Sequence, residues 1–251
     1  MTARRAPIPN LSPGERRLEG ALAHYLARVL RLRAGDTFIA FDPSTGLEAD
    51  AETVWADALT VTVRCGALRK GARERTGPET TWIQGLAKGD KCDAIVRDAT
   101  ELGACRVMVA VTKRTIVKLD RVRGEARQAR WARIAREAAR QSGRSDAPMI
   151  DAPTSWADAL SRVTADARFC LWEDASAPLA PPLFEALAVG GALAFACGPE
   201  GGLDLAEVFL AESLGWKIVS VGPLALRTET VAAAVLGAVR VWGQMFGEKE
   251  R

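Results

Sequence analysis

The spacing of apolar residues changes character twice along this 251-residue chain. Between 15 and 32, Leu18, Leu22, Leu26, Val29 and Leu30 recur at helical spacing, which predicts one amphipathic helix. Beyond Gly35 and Asp36 the period shortens. TFIAF, LEADAETV and ALTVTVRC are short, rich in β-branched residues and separated by turns such as DPSTG, the pattern of a small antiparallel sheet or barrel ending near Cys65. The stretch GALRKGARERTGPET at 66–80 is polar, basic and glycine-bearing, and marks the best domain boundary in the chain.

From Thr81 onward short apolar runs alternate with longer amphipathic ones. TWIQGLA, CRVMVAVT, RFCLWED, ALAFAC and WKIVSVG predict five strands. DKCDAIVRDATELG, residues 121–142, SWADALSRV, PPLFEALAV, LAEVFLAESLG and TETVAAAVLGAVRVWGQMF predict helices between and after them, and SDAPMIDAPTS a loop. Strands alternating with helices imply a mostly parallel α/β sheet covered on both faces. The expected organisation is a first domain over 1–70, a linker over 71–80 and a second domain over 81–251.

Composition narrows the chemistry. There is one histidine, His24, within the helical pattern GALAHYLARVLRL, so neither a zinc cluster nor a Ser-His-Asp or Cys-His system finds its usual residues. Five cysteines, at 65, 92, 105, 170 and 197, form no C-x-x-C pair and read as reduced core thiols. No G-x-G-x-x-G follows a strand, and GLAKGDK at 85–91 departs from a phosphate loop in its spacing and in Asp90 before the lysine. Charges interrupt every run long enough to span a membrane, and MTARRAPIPN has no apolar stretch behind its arginines; a cytoplasmic location is expected.

Charge distribution says more than the total. Residues 113–144 carry eleven Lys or Arg against three acids, a local net charge of +8, whereas the whole chain has a formal net charge of +3. Such an excess suits a polyanion, although a solvated helix face would look the same. Two further segments concentrate the candidate chemistry. ALAFACGPEGGLD at 192–204 and VGPLALRTET at 221–230 each break an apolar strand with Gly-Pro and a tight loop, and FCLWED ends a third strand with Glu173 and Asp174 at its tip. Ligands of open α/β sheets bind beyond such carboxyl ends. Thr228 suits an N-cap of the last helix and Glu229 its positive end, which leaves Arg227 as a guanidinium for a phosphate, a carboxylate or a developing oxyanion.

GPEGGLD followed by VGPLALRTET and an alanine-rich last helix resembles the SPOUT superfamily of knotted methyltransferases. More closely, the chain resembles the small-subunit ribosomal RNA methyltransferase E family, which methylates N3 of one uridine in 16S rRNA. HYLARVLRLRAGD, GLAKGDKCDAIVRDATELG and REAARQSGRSDAPMI extend the likeness over nearly the whole sequence. The family pattern often has arginine where Leu224 stands, lysine at Asp98 and methionine at Cys92.

The resemblance implies an α/β fold with a C-terminal trefoil-knotted parallel sheet, helices on both faces, and a small N-terminal PUA-like β-barrel that binds RNA. It implies S-adenosylmethionine as cofactor, held by Leu171, Trp172, Glu173, Cys197, Gly198, Pro199, Glu200, Gly201, Gly202, Val221, Gly222, Leu224, Leu226, Arg227 and Thr228. Arg227, Glu229 and Glu200 are the candidate catalytic residues. Arg4, Arg5, Arg28, Arg31, Lys113, Arg114, Arg136, Arg140, Gln141 and Arg144 are the candidate RNA contacts. The implied partners are 16S rRNA in the 30S subunit and a second copy of the chain, with no metal and no membrane. Three other readings stay open on the residues alone: a SPOUT enzyme acting on ribose 2′-O or on tRNA, a non-catalytic RNA-binding assembly factor, and a small-molecule enzyme whose basic helix is only surface.

Overall fold

The computed structural model describes residues 4–43, 45–57, 59–70, 77–116, 120–144 and 146–247. The chain divides into two compact units, Met1–Glu74 with Ala139–Ala147, and Arg75–Ala138 with Pro148–Arg251. Most of the predicted linker, 71–76, lies outside the described residues, as does Lys118 of the basic segment.

The first unit is a six-stranded sheet. Its strands are β1 (Arg5–Pro7), β2 (Gly14–Glu19), β3 (Thr37–Phe41), β4 (Leu47–Ala56), β5 (Thr60–Cys65) and β6 (Arg69–Lys70), in the order β1-β3-β4-β5-β2 with β6 beside β4. The β1–β3 pair is parallel and the others antiparallel. Among the described residues no ladder joins β1 to β2, so the path is open rather than closed by hydrogen bonds.

The single helix expected over 15–32 is corrected. Residues 14–19 pair with β5 along their whole length, because GERRLE turns Leu18 inward and its charged neighbours outward with a period of two. Gly20, at φ +65°, then redirects the chain into α1 (Gly20–His24) and a π-helical turn, Tyr25–Val29. Ala23, Leu26 and Leu32 pack with Ile8, Phe38, Val61 and Val63 in this unit's core.

The second unit is a seven-stranded sheet, parallel throughout. Its strands are β7 (Thr80–Gly85), β8 (Arg106–Val111), β9 (Met149–Ile150), β10 (Thr154–Ser155), β11 (Ala167–Leu171), β12 (Leu193–Cys197) and β13 (Lys217–Val219). The order is β10-β8-β7-β12-β11-β13, with β9 on β8. The two shortest strands lie where the sequence pattern predicts only a loop, since two-residue ladders leave no periodicity to read.

Neighbouring residues of each central strand enter opposite cores. Trp82, Phe169 and Phe195 stack across β7, β12 and β11, with ring centroids 6.2 and 5.4 Å apart, and join residues of α2 (Lys91–Glu101), α3 (Arg121–Ser142), α5 (Ala180–Val189) and α7 (Thr228–Gly247). Ile83, Met108, Cys170 and Ala196 face the other way, against α4 (Trp156–Ser161) and α6 (Leu205–Ser213). Removing the Phe195 ring would cost about 3–5 kcal/mol. This is the layered α/β architecture that the alternation predicts, and it brings the carboxyl ends of β7, β11, β12 and β13 to one edge.

Candidate active site

A cleft of about 860 Å³ opens at that edge. Its walls are the residues after β11, the GPEGG loop after β12, the 221–227 loop after β13 and the first turn of α7. Every residue assigned to the cofactor from the sequence lines it except Gly201. Lys91, Asp174, Pro223, Ala225 and Val231 line it too; Asp174, Pro223 and Ala225 fall within the strand-end segments singled out from the sequence, whereas Lys91 and Val231 were missed. Val231 was findable as the next residue on the same helix face as Thr228, three positions on.

The GPEGG loop is fixed from several sides. A Cβ on Gly85 would fall 2.5 Å from Pro199 N, so only glycine at the end of β7 lets the loop lie this close. The Gly198 carbonyl accepts from Gln84 Nε2 at 2.9 Å and from Thr228 Oγ1 at 2.8 Å. Glu200 Oε1 accepts from the Lys88 N–H at 3.0 Å and pairs with Lys91 Nζ at 3.1 Å. Arg114 Nη1 donates to the Gly201 carbonyl at 2.8 Å. Beyond the loop Asp204 and Glu207 form a capping box that starts α6.

The second loop is held at its root and open at its tip. Residues 172–179 are stitched to 219–220 by Trp172 N–H to Val219 O, Ser220 N–H to Ala177 O and Leu179 N–H to Ser220 O, each 2.9 Å. Past that seam, the backbone N–H groups of Gly222, Leu224, Ala225 and Leu226 have no partner among the described residues, and residues 222–227 are exposed. Arg227 closes the loop, its carbonyl accepting from the N–H groups of Thr230 and Val231. Its exposed guanidinium has no partner among the described residues.

Thr228 is buried and does not cap α7, contrary to expectation. Its hydroxyl gives its proton to Gly198 O and accepts from Gln84 Nε2 at 2.8 Å, so it is committed to the GPEGG side. Glu229 stands in the first turn of α7 but not on the cleft wall, with one carboxylate oxygen buried and unpartnered among the described residues. At Glu200, partial burial pushes the carboxyl upward. Hydrogen bonds from its own N–H, Lys91 and the Lys88 N–H, with the Lys91 charge, outweigh that, and the net shift is downward. Burial drives the Cys197 thiol up to about 12, so it is no nucleophile at neutral pH. Among the described residues no group of His, Cys, Asp or Glu could hold a metal ion.

The candidate RNA contacts are scattered and differ in availability. Arg28, Arg31, Arg136 and Gln141 are exposed. Lys113 is exposed but pairs with Asp204 at 3.0 Å, and Arg114 reaches Gly201. Arg4 pairs with Asp36. Arg5 is mostly covered, paired with the fully buried Glu48 and lying over the Phe41 ring. Arg140 lies over Tyr25 and donates to its hydroxyl. Arg144 is only 8 % exposed and pairs with Asp146. A sequence shows that these residues are cationic, but not that Arg5, Arg140 and Arg144 already answer partners of their own.

Residues 75–240 match the RNA methyltransferase domain family and residues 18–52 the RNA methyltransferase PUA domain. The fold and the cleft therefore define an RNA methyltransferase domain. The chain is 33 % identical over 231 residues to the ribosomal RNA small subunit methyltransferase E of Bacillus subtilis, covering 88 % of each, and 31 % identical over 229 residues to that of Mycobacterium tuberculosis, covering 89 % of this chain and 85 % of the relative. It also superposes, with a TM-score of 0.84 and 26 % identity, on the Neisseria gonorrhoeae ribosomal RNA small subunit methyltransferase E bound to S-adenosyl methionine, over 96 % of this chain and 98 % of that one. The chain belongs to the ribosomal RNA small subunit methyltransferase E family.

Proposed function

We propose that the cleft binds S-adenosylmethionine and that the protein methylates N3 of one uridine in the 16S rRNA of the small ribosomal subunit. One observation carries this reading: a rigidly tied GPEGG loop faces a loop of unpartnered backbone donors that ends in the exposed Arg227. The cofactor fits what is there. The volume lies within the roughly 300–1,000 Å³ of small-molecule sites. Leu171, Val221, Leu226 and Val231 offer apolar contact for a purine, and the N–H groups of Gly222, Leu224, Ala225 and Leu226 offer hydrogen bonds to its polar atoms.

When bound, the cofactor supplies a methyl group activated on a sulfonium. The chain's own part is positioning and charge. Uridine N3 gives its proton to solvent as it takes the methyl group, and the negative charge that develops spreads to the flanking carbonyl oxygens, where the Arg227 guanidinium stabilises it. Glu200 is a poor proton acceptor because its carboxylate is engaged and held ionised by Lys91 and Lys88; it fixes the loop. Glu229 supports the positive end of α7 rather than the reaction. N3 lies on the pairing edge, so the base enters unpaired or flipped out.

In this reading residues 1–70 are a PUA-like barrel that grips RNA, 71–80 a linker, and 81–251 a knotted catalytic domain acting as a homodimer in the cytoplasm. The seam between 172–179 and 219–220, with the chain then crossing from the edge strand β13 to Gly198 and Gln84, supports the knot. The exposed Arg28, Arg31, Arg136 and Gln141, with Lys113, Arg114 and Arg4, contact phosphates. Arg5, Arg140 and Arg144 serve mainly to hold their own unit together.

The test is methyl transfer from labelled S-adenosylmethionine to 30S particles lacking the modification, with the product nucleotide identified by mass spectrometry. Label at N3 of a single 16S uridine is expected. Label elsewhere would keep the cofactor site and reject the substrate, and no cofactor binding would sink the proposal.

A further inference from the structure

We propose that Gln84 is a positioning residue for methyl transfer: its side-chain amide locks the GPEGG loop to the start of α7 and so sets where Arg227 stands. The inference rests on the function proposed above. Gln84 is the next-to-last residue of β7, flanked by β8 and β12, and is fully buried. Its surroundings are apolar: Cys197 lies opposite on β12, and Trp82 two residues earlier on the same face. An amide there costs free energy unless each of its groups is satisfied.

Each group is satisfied, and in one sense only. Trp82 Nε1, which can only donate, gives its proton to Gln84 Oε1 at 3.1 Å, so the amide nitrogen must face the other way. That nitrogen lies 2.9 Å from Gly198 O, 2.8 Å from Thr228 Oγ1 and 3.1 Å from Gly85 O. Thr228, having accepted there, gives its own proton to Gly198 O at 2.8 Å. The result is a closed ring of amide, hydroxyl and carbonyl joining three segments that are 144 positions apart at the extremes. Gly198 opens one wall of the cleft, and Thr228 follows Arg227 directly on the other. Gln84 is not on the wall; it acts through both.

A residue that served only the core would be better apolar at this position. An apolar Leu would then leave cofactor binding and turnover intact in the folded protein. The positioning role makes the opposite demand: Gln84→Leu and Thr228→Val remove the same ring, so their effects must overlap. The experiment measures S-adenosylmethionine binding by calorimetry, kcat and KM on unmodified 30S particles, and thermal melting for the wild type, both single variants, the double variant and Thr228→Ser. Expected are cofactor binding weaker by about tenfold in each single variant, the loss of one well-satisfied buried hydrogen-bond set, and kcat falling more than KM rises. The double variant should be no worse than the poorer single one, and Thr228→Ser, which keeps the hydroxyl, should lose much less than Thr228→Val in both affinity and kcat.

Affinity and kcat within twofold of wild type in a folded Gln84→Leu protein would overturn the inference. So would additive losses in the double variant, or failure of both single variants to fold, which would assign the ring to stability alone. A wild-type protein that binds no S-adenosylmethionine would overturn the functional reading and this inference with it, an outcome readable before any variant is made.

Discussion

The loops at 198–202 and 221–227 begin with the same sequence device, a strand broken by Gly-Pro, yet they are held in opposite ways. The first is tied by Gln84, Thr228, Lys88, Lys91 and Arg114 and pressed against Gly85. The second is stitched only at its root; its N–H groups and Arg227 face solvent. A binding site needs both kinds of wall. A fixed wall defines shape without ordering cost on binding, while unpartnered donors supply the favourable contacts a ligand can satisfy. Two segments that read alike therefore divide the labour, and substitutions in them should fail in different ways.

The largest effect is expected at the open wall. Arg227→Ala should lower kcat for methyl transfer by about 10²–10³-fold, the usual cost of losing one donor to a developing oxyanion. Cofactor affinity should change by no more than about threefold, because in the proposed mechanism the guanidinium serves the reaction rather than the purine. An affinity loss as large as the rate loss would place Arg227 on the cofactor and erase the distinction between the walls. At the fixed wall Gly85→Ala should do the reverse. Its methyl would lie 2.5 Å from Pro199 N and Cδ, so the loop must shift. Overpacking of this kind costs about 1–3 kcal/mol. Calorimetry should show weaker cofactor binding by about tenfold, with a lowered melting temperature.

Much of this division lay beyond the reach of periodicity. The alternation from Thr81 onward was enough to place β7, β8, β11, β12, β13 and the long helices, because buried parallel strands and amphipathic helices leave strong, distinct patterns. The segment 14–19 misled, since Leu18 fits a helical series with Leu22 and Leu26 as well as it fits a strand. The cleft was readable from GPEGG and VGPLALRTET, whose glycines and prolines mark strand-end loops. The commitments of individual side chains were not. Nothing in the order of residues shows that Thr228 reaches back to Gly198 or that Arg144 answers Asp146, because those pairings exist only once the chain has closed.

A smaller effect is expected from Glu200→Gln. The carboxyl lies below its ordinary value of 4.5, so the ionised form is the one the fold favours. Its contribution is complete above that ordinary value and fades only as pH falls through the lowered one. Wild-type affinity for S-adenosylmethionine should accordingly be flat from about pH 7 to about pH 5 and decline only at lower pH. The amide keeps an acceptor for Lys88 but loses the Lys91 pair, so binding should weaken about threefold, as for a partly exposed ion pair, and the acid decline should shrink. A wild-type decline centred above pH 5 would show that Glu200 does not brace the loop as an ionised group.

The smallest effect on the cleft should come from Leu224→Arg, and it separates rim from wall within the open loop. Leu224 borders the cleft but is 76 % exposed, so little apolar burial is lost by replacing it, and its N–H, which the substitution preserves, is the group that faces a ligand. Melting temperature and cofactor affinity should therefore stay close to wild type. If the open loop faces RNA, the added cation should act on the polyanion alone: the slope of log affinity for 16S rRNA against log salt should steepen by about 0.7–0.9, the signature of one more phosphate neutralised. A tenfold loss of cofactor affinity with no change in that slope would mean that the Leu224 side chain, and not only the backbone beside it, forms the wall. The exposed loop would then read as a lid over the cofactor rather than an edge offered to RNA.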